Sequence, residues 1–129
     1  MPFAKHLGVL VVDDTSVSRA LMCNGLDEIG IVGYRIARDG EEALKAMMTT
    51  PAHLVISDFE MPKLDGLRLL RALREYTPTR ATGFILVTGS GDRSLIEQGR
   101  KFGLNNYLAK PFTTPSLKAC IEAVVGKLV

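Results

Sequence analysis

Apolar residues follow two alternating rhythms along this chain. Leu7 to Val12, His53 to Ser57 and Phe84 to Val87 are short apolar runs, too short for helices and rich in β-branched residues, which predicts buried strands. Tyr34 to Ala37 and Asn105 to Leu108 are briefer members of the same set. Between these runs the apolar positions recur at three- and four-residue steps. Thr15 or Ser16 can cap a helix running to about Ile29, with Met22, Leu26 and Ile29 on one face and Gly30 ending it. Asp39 with Glu42 three residues on predicts a capping box for a helix through Met48, closed by Pro51. A third helix, from about Gly66 to Glu75, takes its apolar side from Leu67, Leu69, Leu70 and Leu73, and Ser94 to Lys101 has helical composition. Thr114 as cap and Pro115 at the first helical position open the last helix. Its Leu117, Cys120, Ile121, Val124, Val125 and Leu128 form one core-facing stripe.

Five strand-then-helix units with nearly continuous apolar strands predict an α/β fold, a parallel sheet covered on both faces by right-handed crossovers. With 129 residues, 47% hydrophobic and 23% charged, and no repeat or linker, residues 1–129 are expected to form a single domain. The net charge of +2 is too small to make nucleic acid or a membrane surface the default partner. The first residues lack the apolar region of a signal peptide and no window reaches the length of a membrane span, so a cytoplasmic protein is expected. Cys23 and Cys120 show no CxxC or Cys/His spacing and are read as reduced, partly buried thiols. His6 and His53 have no partner at ligand spacing and read as surface or edge residues. Arg68, Arg71 and Arg74 recur every three residues, which fits a solvated helix face better than a basic docking stripe.

The chemistry collects at the carboxyl ends of the predicted strands, where an open α/β sheet binds ligands. Strand one ends at Asp13-Asp14, strand three at Asp58, strand four at Thr88, and strand five is followed closely by Lys110. Met61-Pro62 after Asp58 stops its strand, because proline has no N–H for the ladder. Three carboxylates on neighbouring strand ends repel one another, and a divalent cation removes the conflict. Hard oxygen donors suit Mg2+, which keeps several waters and leaves a position for a phosphate oxygen. A carboxylate, Mg2+, a hydroxyl and an ammonium are the parts needed to hold a phosphoryl group. Asp13 and Asp14 are adjacent and point in different directions, so one can ligate the metal while the other orients its waters. Asp58 stands alone opposite them and is the candidate nucleophile, whose attack would give an acyl phosphate.

Asp13-Asp14, Asp58 with Met61-Pro62 and Asp65-Gly66, Thr88-Gly89 and Lys110-Pro111 together resemble the receiver domains of two-component response regulators, over nearly the whole chain. Because the chain ends after the fifth helix, it resembles the stand-alone, CheY-like chemotaxis type. The resemblance implies a flavodoxin-like, doubly wound five-stranded sheet of order 2-1-3-4-5 with five helices. It implies Asp58 as phosphoacceptor for a CheA-like sensor histidine kinase, in a signalling domain that catalyses only its own phosphorylation and dephosphorylation. Asp14, Asp58 and the backbone carbonyl of Glu60 would ligate Mg2+, with Asp13 acting through water. Lys110 would pair with the phosphoryl group, helped by a cis peptide before Pro111. Thr88 and Tyr107 would be the switch, the hydroxyl moving toward the phosphate and the ring turning inward. The fourth helix, fifth strand and fifth helix would be the output surface of a monomer, met by a downstream protein such as a flagellar motor switch component. Glu60 and Ser90, two residues after Asp58 and Thr88, are expected to tune the site, Glu60 by altering the phosphoryl lifetime. Two alternatives share these parts. An Asp-nucleophile phosphohydrolase normally has a second Asp two residues after the nucleophile, where Glu60 stands. A receiver acting as a phosphate sink would lack a motor output. A third class, a mononucleotide-binding protein of flavodoxin type, expects a glycine- and hydroxyl-rich loop after strand one, where Asp13-Asp14 would repel phosphate.

Overall fold

A computed structural model describes residues 3–89 and 93–128. The elements run α1 (Phe3–His6), β1 (Gly8–Val12), α2 (Ser16–Ile29), β2 (Gly33–Ala37), α3 (Gly40–Thr49), β3 (Leu54–Asp58), α4 (Gly66–Glu75), a 3-10 turn (Thr77–Thr79), β4 (Gly83–Thr88), α5 (Arg93–Lys101), β5 (Asn106–Ala109) and α6 (Thr114–Val125). All strand pairs are parallel and the sheet order is β2-β1-β3-β4-β5. The five expected helices are α2 to α6. The described residues add a sixth, α1, whose single turn is too short to leave a periodic signal.

Alternation along the strands explains their unbroken apolar runs. Val9, Val11, Leu54, Ile56, Ile85 and Val87 pack on one side with residues of α2 and α6, such as Met22, Leu26, Leu117 and Ile121. Their neighbours Leu10, Val12, Val55, Phe84 and Leu86 pack on the other, against Ala43, Met47, Leu69, Leu70, Leu73 and Leu95 from α3, α4 and α5. Both faces of the sheet are therefore core, and each fully buried side chain of this size contributes about 1.5–3 kcal/mol. Most of the stripe on α6 behaves as expected: Leu117, Cys120 and Ile121 are buried, and Val124 and Val125 pack against the same cluster; Leu128, expected on the helix, lies beyond its Gly126 cap yet is buried there too.

Several local expectations shift. Thr113, not Thr114, caps α6: its hydroxyl accepts from the Ser116 N–H while the Ser116 hydroxyl accepts from the Thr113 N–H. Ser116 at N3 can complete a reciprocal cap with Thr113, and Pro115 lies within the first turn. Asp39 caps α3 by accepting from the Glu42 N–H, but the return bond of a capping box is not formed. On α4, Arg68 and Arg71 are exposed as a solvated face expects, but Arg74 is half-buried. Arg74 donates to the carbonyls of Arg80 and Gly103 and to Asn105 Oδ1, and Arg71 pairs with Glu75 while lying over the Phe102 ring at 5.5 Å. His53 is exposed, a surface residue as expected, at the amino end of the central strand β3, its Nδ1 accepting from the Gly8 N–H. Cys23 and Cys120 are free thiols, half-buried and buried, and burial pushes the Cys120 thiol up to about 11. Among the described residues no helix is long and apolar enough to cross a membrane.

Candidate functional site

In a sheet of this order the chain leaves β1 for β2 on one side and leaves β3 for β4 on the other, so the crevice opens at the carboxyl ends of β1 and β3. Those ends carry Asp13-Asp14 and Asp58. Backbone hydrogen bonds continue past the strands and hold the chain there: Asp13 N–H to the Ala37 carbonyl, Phe59 N–H to the Val87 carbonyl, and Lys110 N–H to the Thr88 carbonyl at 2.9 Å. The last bond carries Lys110 across the tops of β4 and β5 to the crevice. The Lys110-Pro111 peptide is cis, as the resemblance implied.

Carboxylate oxygens of Asp13, Asp14 and Asp58 lie within 4.8 Å of one another. Asp13 is buried, Asp58 half-buried and Asp14 exposed. Lys110 Nζ stands 3.3 Å from Asp58 Oδ2 and 3.9 Å from Asp13 Oδ2. Burial raises the Asp58 carboxyl above the ordinary carboxylate range, Lys110 opposes the rise, and the Asp13 charge adds to it. Three carboxylates facing one ammonium leave an excess of negative charge at the cluster. An oxygen-only donor set with that excess fits a hard divalent cation, and it holds no His or Cys to favour a softer one.

The other expected site residues fall around the cluster. Glu60 is exposed and borders, with Asp14, Asp58, Met61, Asp65 and Lys110, a cleft of about 570 Å³. A neighbouring cleft of about 320 Å³ lies among Asp58, Glu60, Thr88, Gly89, Leu95 and Lys110. It joins the candidate nucleophile to the candidate switch hydroxyl, and Thr88 is itself buried. Tyr107 is 40% exposed on β5, outside both clefts. Ser90 lies outside the described residues.

Sequence reasoning missed what surrounds Asp13. Thr15 was expected only as a helix cap, yet its side chain makes no capping bond and instead donates to Asp13 Oδ1, as does its N–H. Ser18 Oγ donates to Asp13 Oδ2 at 2.5 Å, and Arg19 Nη1 donates to the Asp13 carbonyl at 2.9 Å. A hydroxyl residue two positions after an Asp is the signal of an Asx turn and was available in the sequence. Ser18 carried no such signal, since its contact depends on the first turn of α2 folding back over the strand end.

Against this geometry stand the comparisons with known proteins. The sequence profile of the response regulator receiver domain matches residues 9–122. The chain is 46% identical to the probable chemotaxis protein CheY of Rhizobium etli over 99% of both chains. It is 33% identical to the chemotaxis protein CheY1 of Helicobacter pylori, over 92% of this chain and 96% of that one. Among solved structures, the chemotaxis protein CheY4 of Vibrio cholerae superposes with a TM-score of 0.85 at 27% identity, covering 92% of this chain and 98% of that chain. The receiver domain of a sensor histidine kinase from Pseudomonas aeruginosa, determined with a magnesium ion coordinated in its active site cleft, superposes with a TM-score of 0.82 at 26% identity, covering 94% and 98%.

Proposed function

The chain belongs to the response regulator receiver family, and on that premise we propose that Asp58 accepts a phosphoryl group from a sensor histidine kinase and that the modified protein presents an altered surface to a partner. The observation that carries this reading is Lys110 Nζ at 3.3 Å from Asp58, within a cluster of three carboxylates. An Asp58 oxygen attacks phosphorus, the bond to the donor imidazole nitrogen breaks, and an acyl phosphate forms on the carboxylate. Bound Mg2+ would neutralise charge on the transferring group and ligate one of its oxygens. Asp14, Asp58 and the Glu60 carbonyl would hold the ion, with Asp13 orienting a water. Lys110 meets the charge that arrives with the group, and the Thr88 hydroxyl moves toward it across the smaller cleft. Tyr107 then turns inward from its exposed position, and α5, β5 and α6 carry the change to the partner. Phosphorylation biases this element only by interacting differently with its two states.

The relative at 46% identity is a probable chemotaxis protein CheY, which supports a role in chemotaxis signalling; this reading takes a CheA-like kinase as donor, a motor switch component as receiver of the signal and the cytoplasm as its place. The whole chain is taken as one monomeric receiver domain. An Asp-nucleophile phosphohydrolase is not favoured, because exposed Glu60 stands where that chemistry wants its acid Asp. Acetyl phosphate with Mg2+ is expected to place one phosphoryl group per chain on Asp58, read by mass spectrometry, and EDTA to abolish it. Folded protein that stays unlabelled would overturn the proposal, and repeated turnover of a generic phosphate ester would point to a hydrolase.

Glu60 sets a second expectation. Its carboxylate at the cleft mouth repels the charge that builds up as water attacks the acyl phosphate, an effect of about 1 kcal/mol for an exposed group. Glu60→Asn is therefore expected to shorten the phosphoryl lifetime by roughly 3- to 10-fold. A dephosphorylation rate equal to that of the wild type would show that Glu60 only faces solvent.

A further inference from the structure

We infer that Ser18 is a positioning residue for phosphoryl transfer: by occupying Asp13 Oδ2 it keeps Lys110 on Asp58. The inference rests on Asp58 being the phosphoacceptor. An ionised carboxylate offers about four acceptor positions, two on each oxygen. At Asp13 the Thr15 N–H and hydroxyl take Oδ1, at 3.0 and 3.1 Å. The Ser18 hydroxyl takes one position on Oδ2, which leaves a single position open toward the crevice. The Asp13 N–H is bound to the Ala37 carbonyl, and its own carbonyl accepts from Arg19, so the residue has little freedom to turn.

Lys110 has two carboxylates within reach and stands nearer to Asp58, 3.3 Å against 3.9 Å for Asp13. A hydroxyl already donating to Asp13 Oδ2 lowers what Asp13 can offer the ammonium, because a charge-assisted hydrogen bond has been satisfied there. Removing that hydroxyl uncovers an acceptor on a buried, charged oxygen, and the donor best placed to answer is Lys110. It would swing from Asp58 toward Asp13 and leave the transferring group without its cation. Negative charge at the cluster would not fall, so the attraction for a divalent cation would be kept or strengthened. The first turn of α2 thus acts on the far side of the crevice through one carboxylate.

This pattern separates positioning from mere structural support, which would weaken metal binding and transfer together. Ser18→Ala is expected to take up label from acetyl phosphate about 3- to 10-fold more slowly at saturating Mg2+, the range expected for a misplaced reacting or stabilising group. Calorimetric titration with Mg2+ is expected to show binding as tight as in the wild type or tighter. Ser18→Thr, which keeps the hydroxyl, is expected to recover at least half of the lost rate. Parallel loss of Mg2+ affinity and labelling, a rate unchanged in Ser18→Ala, or no recovery in Ser18→Thr would each overturn the inference. An unlabelled wild type would instead remove the phosphoacceptor reading beneath it.

Discussion

Asp58→Asn is expected to melt at a higher temperature than the wild type in metal-free buffer at neutral pH, and to take up no phosphoryl group. Both halves follow from the same carboxylate. Burial raises the Asp58 pKa in the folded protein, Lys110 pulls it back, and Asp13 pushes it up again, with a net upward shift. A raised folded-state pKa means that the native state holds the proton more tightly than the unfolded chain does. Asp58 therefore stabilises the fold when protonated, and that contribution is lost as pH rises through its folded pKa. Once ionised it stands beside Asp13 and Asp14, within 4.8 Å, with Lys110 as partial compensation. The amide keeps the shape and removes the charge, so a rise in Tm of roughly 2–6 °C is expected for a domain of this size. The gap should narrow as pH falls toward the titration of Asp58, and also when Mg2+ relieves the repulsion in the wild type. Labelling by acetyl phosphate should drop by a factor of at least about 100, because an amide is no nucleophile toward phosphorus. A variant that labels at the wild-type rate would move the chemistry to another residue. One that melts below the wild type would sink the charge argument while leaving the nucleophile untouched.

The same cluster shows why much of this site was legible before any coordinates. Strand ends in a parallel sheet share one edge, and the order 2-1-3-4-5 that the resemblance implied sets strands one and three side by side, so the carboxylates that close them meet. The strands themselves were readable because both faces are core: Val9 to Val12 and Phe84 to Val87 are apolar in unbroken runs for that reason. Helix α4 could be bounded at Gly66 and Glu75 from its leucines, and the structure adds Asp65 as its cap, accepting from the Arg68 N–H. What stayed hidden depends on side chains that reach across elements. Arg74 looked like one of three exposed cations and instead ties α4 to Gly103 and Asn105, twenty-nine and thirty-one residues away. Ser18 looked like an ordinary position in the first turn of α2. Nothing in the one-dimensional pattern states that its hydroxyl returns to Asp13. Periodicity reports which face of an element is buried, and it is silent on which polar atom answers another across a gap.

Gly66→Ala is expected to damage stability and phosphoryl transfer together, although the residue carries no functional group. A Cβ built there would lie 2.7 Å from the Asp58 carbonyl oxygen, 2.7 Å from Leu86 Cδ1 and 3.1 Å from Phe59 Cα. The Leu86 methyl belongs to a fully buried side chain packed among Leu69, Leu70 and Phe84, so it has little room to retreat. Two of the three obstacles are backbone at the end of β3, the segment that presents Asp58. Gly66 also donates its N–H to the Phe59 carbonyl at 2.9 Å, which binds the start of α4 to that same segment. The added methyl must then push α4 off the sheet or bend β3 away from its register, where Asp58 pairs with Val87 of β4. Overpacking of this kind costs about 1–3 kcal/mol. A shift of about 1 Å at the reacting oxygen is worth up to roughly 100-fold in rate, so labelling at saturating Mg2+ should fall by about 10-fold or more. The label that does form should still be on Asp58. Gly89→Ala is the control for added bulk near the crevice: among the described residues nothing lies within 4 Å of its Cβ position, and its melting temperature should stay within about 2 °C of the wild type. If Gly66→Ala lowered stability but labelled as fast as the wild type, the close contact between α4 and β3 would be packing alone. Asp58 would then owe its position to the sheet and not to the helix that follows it.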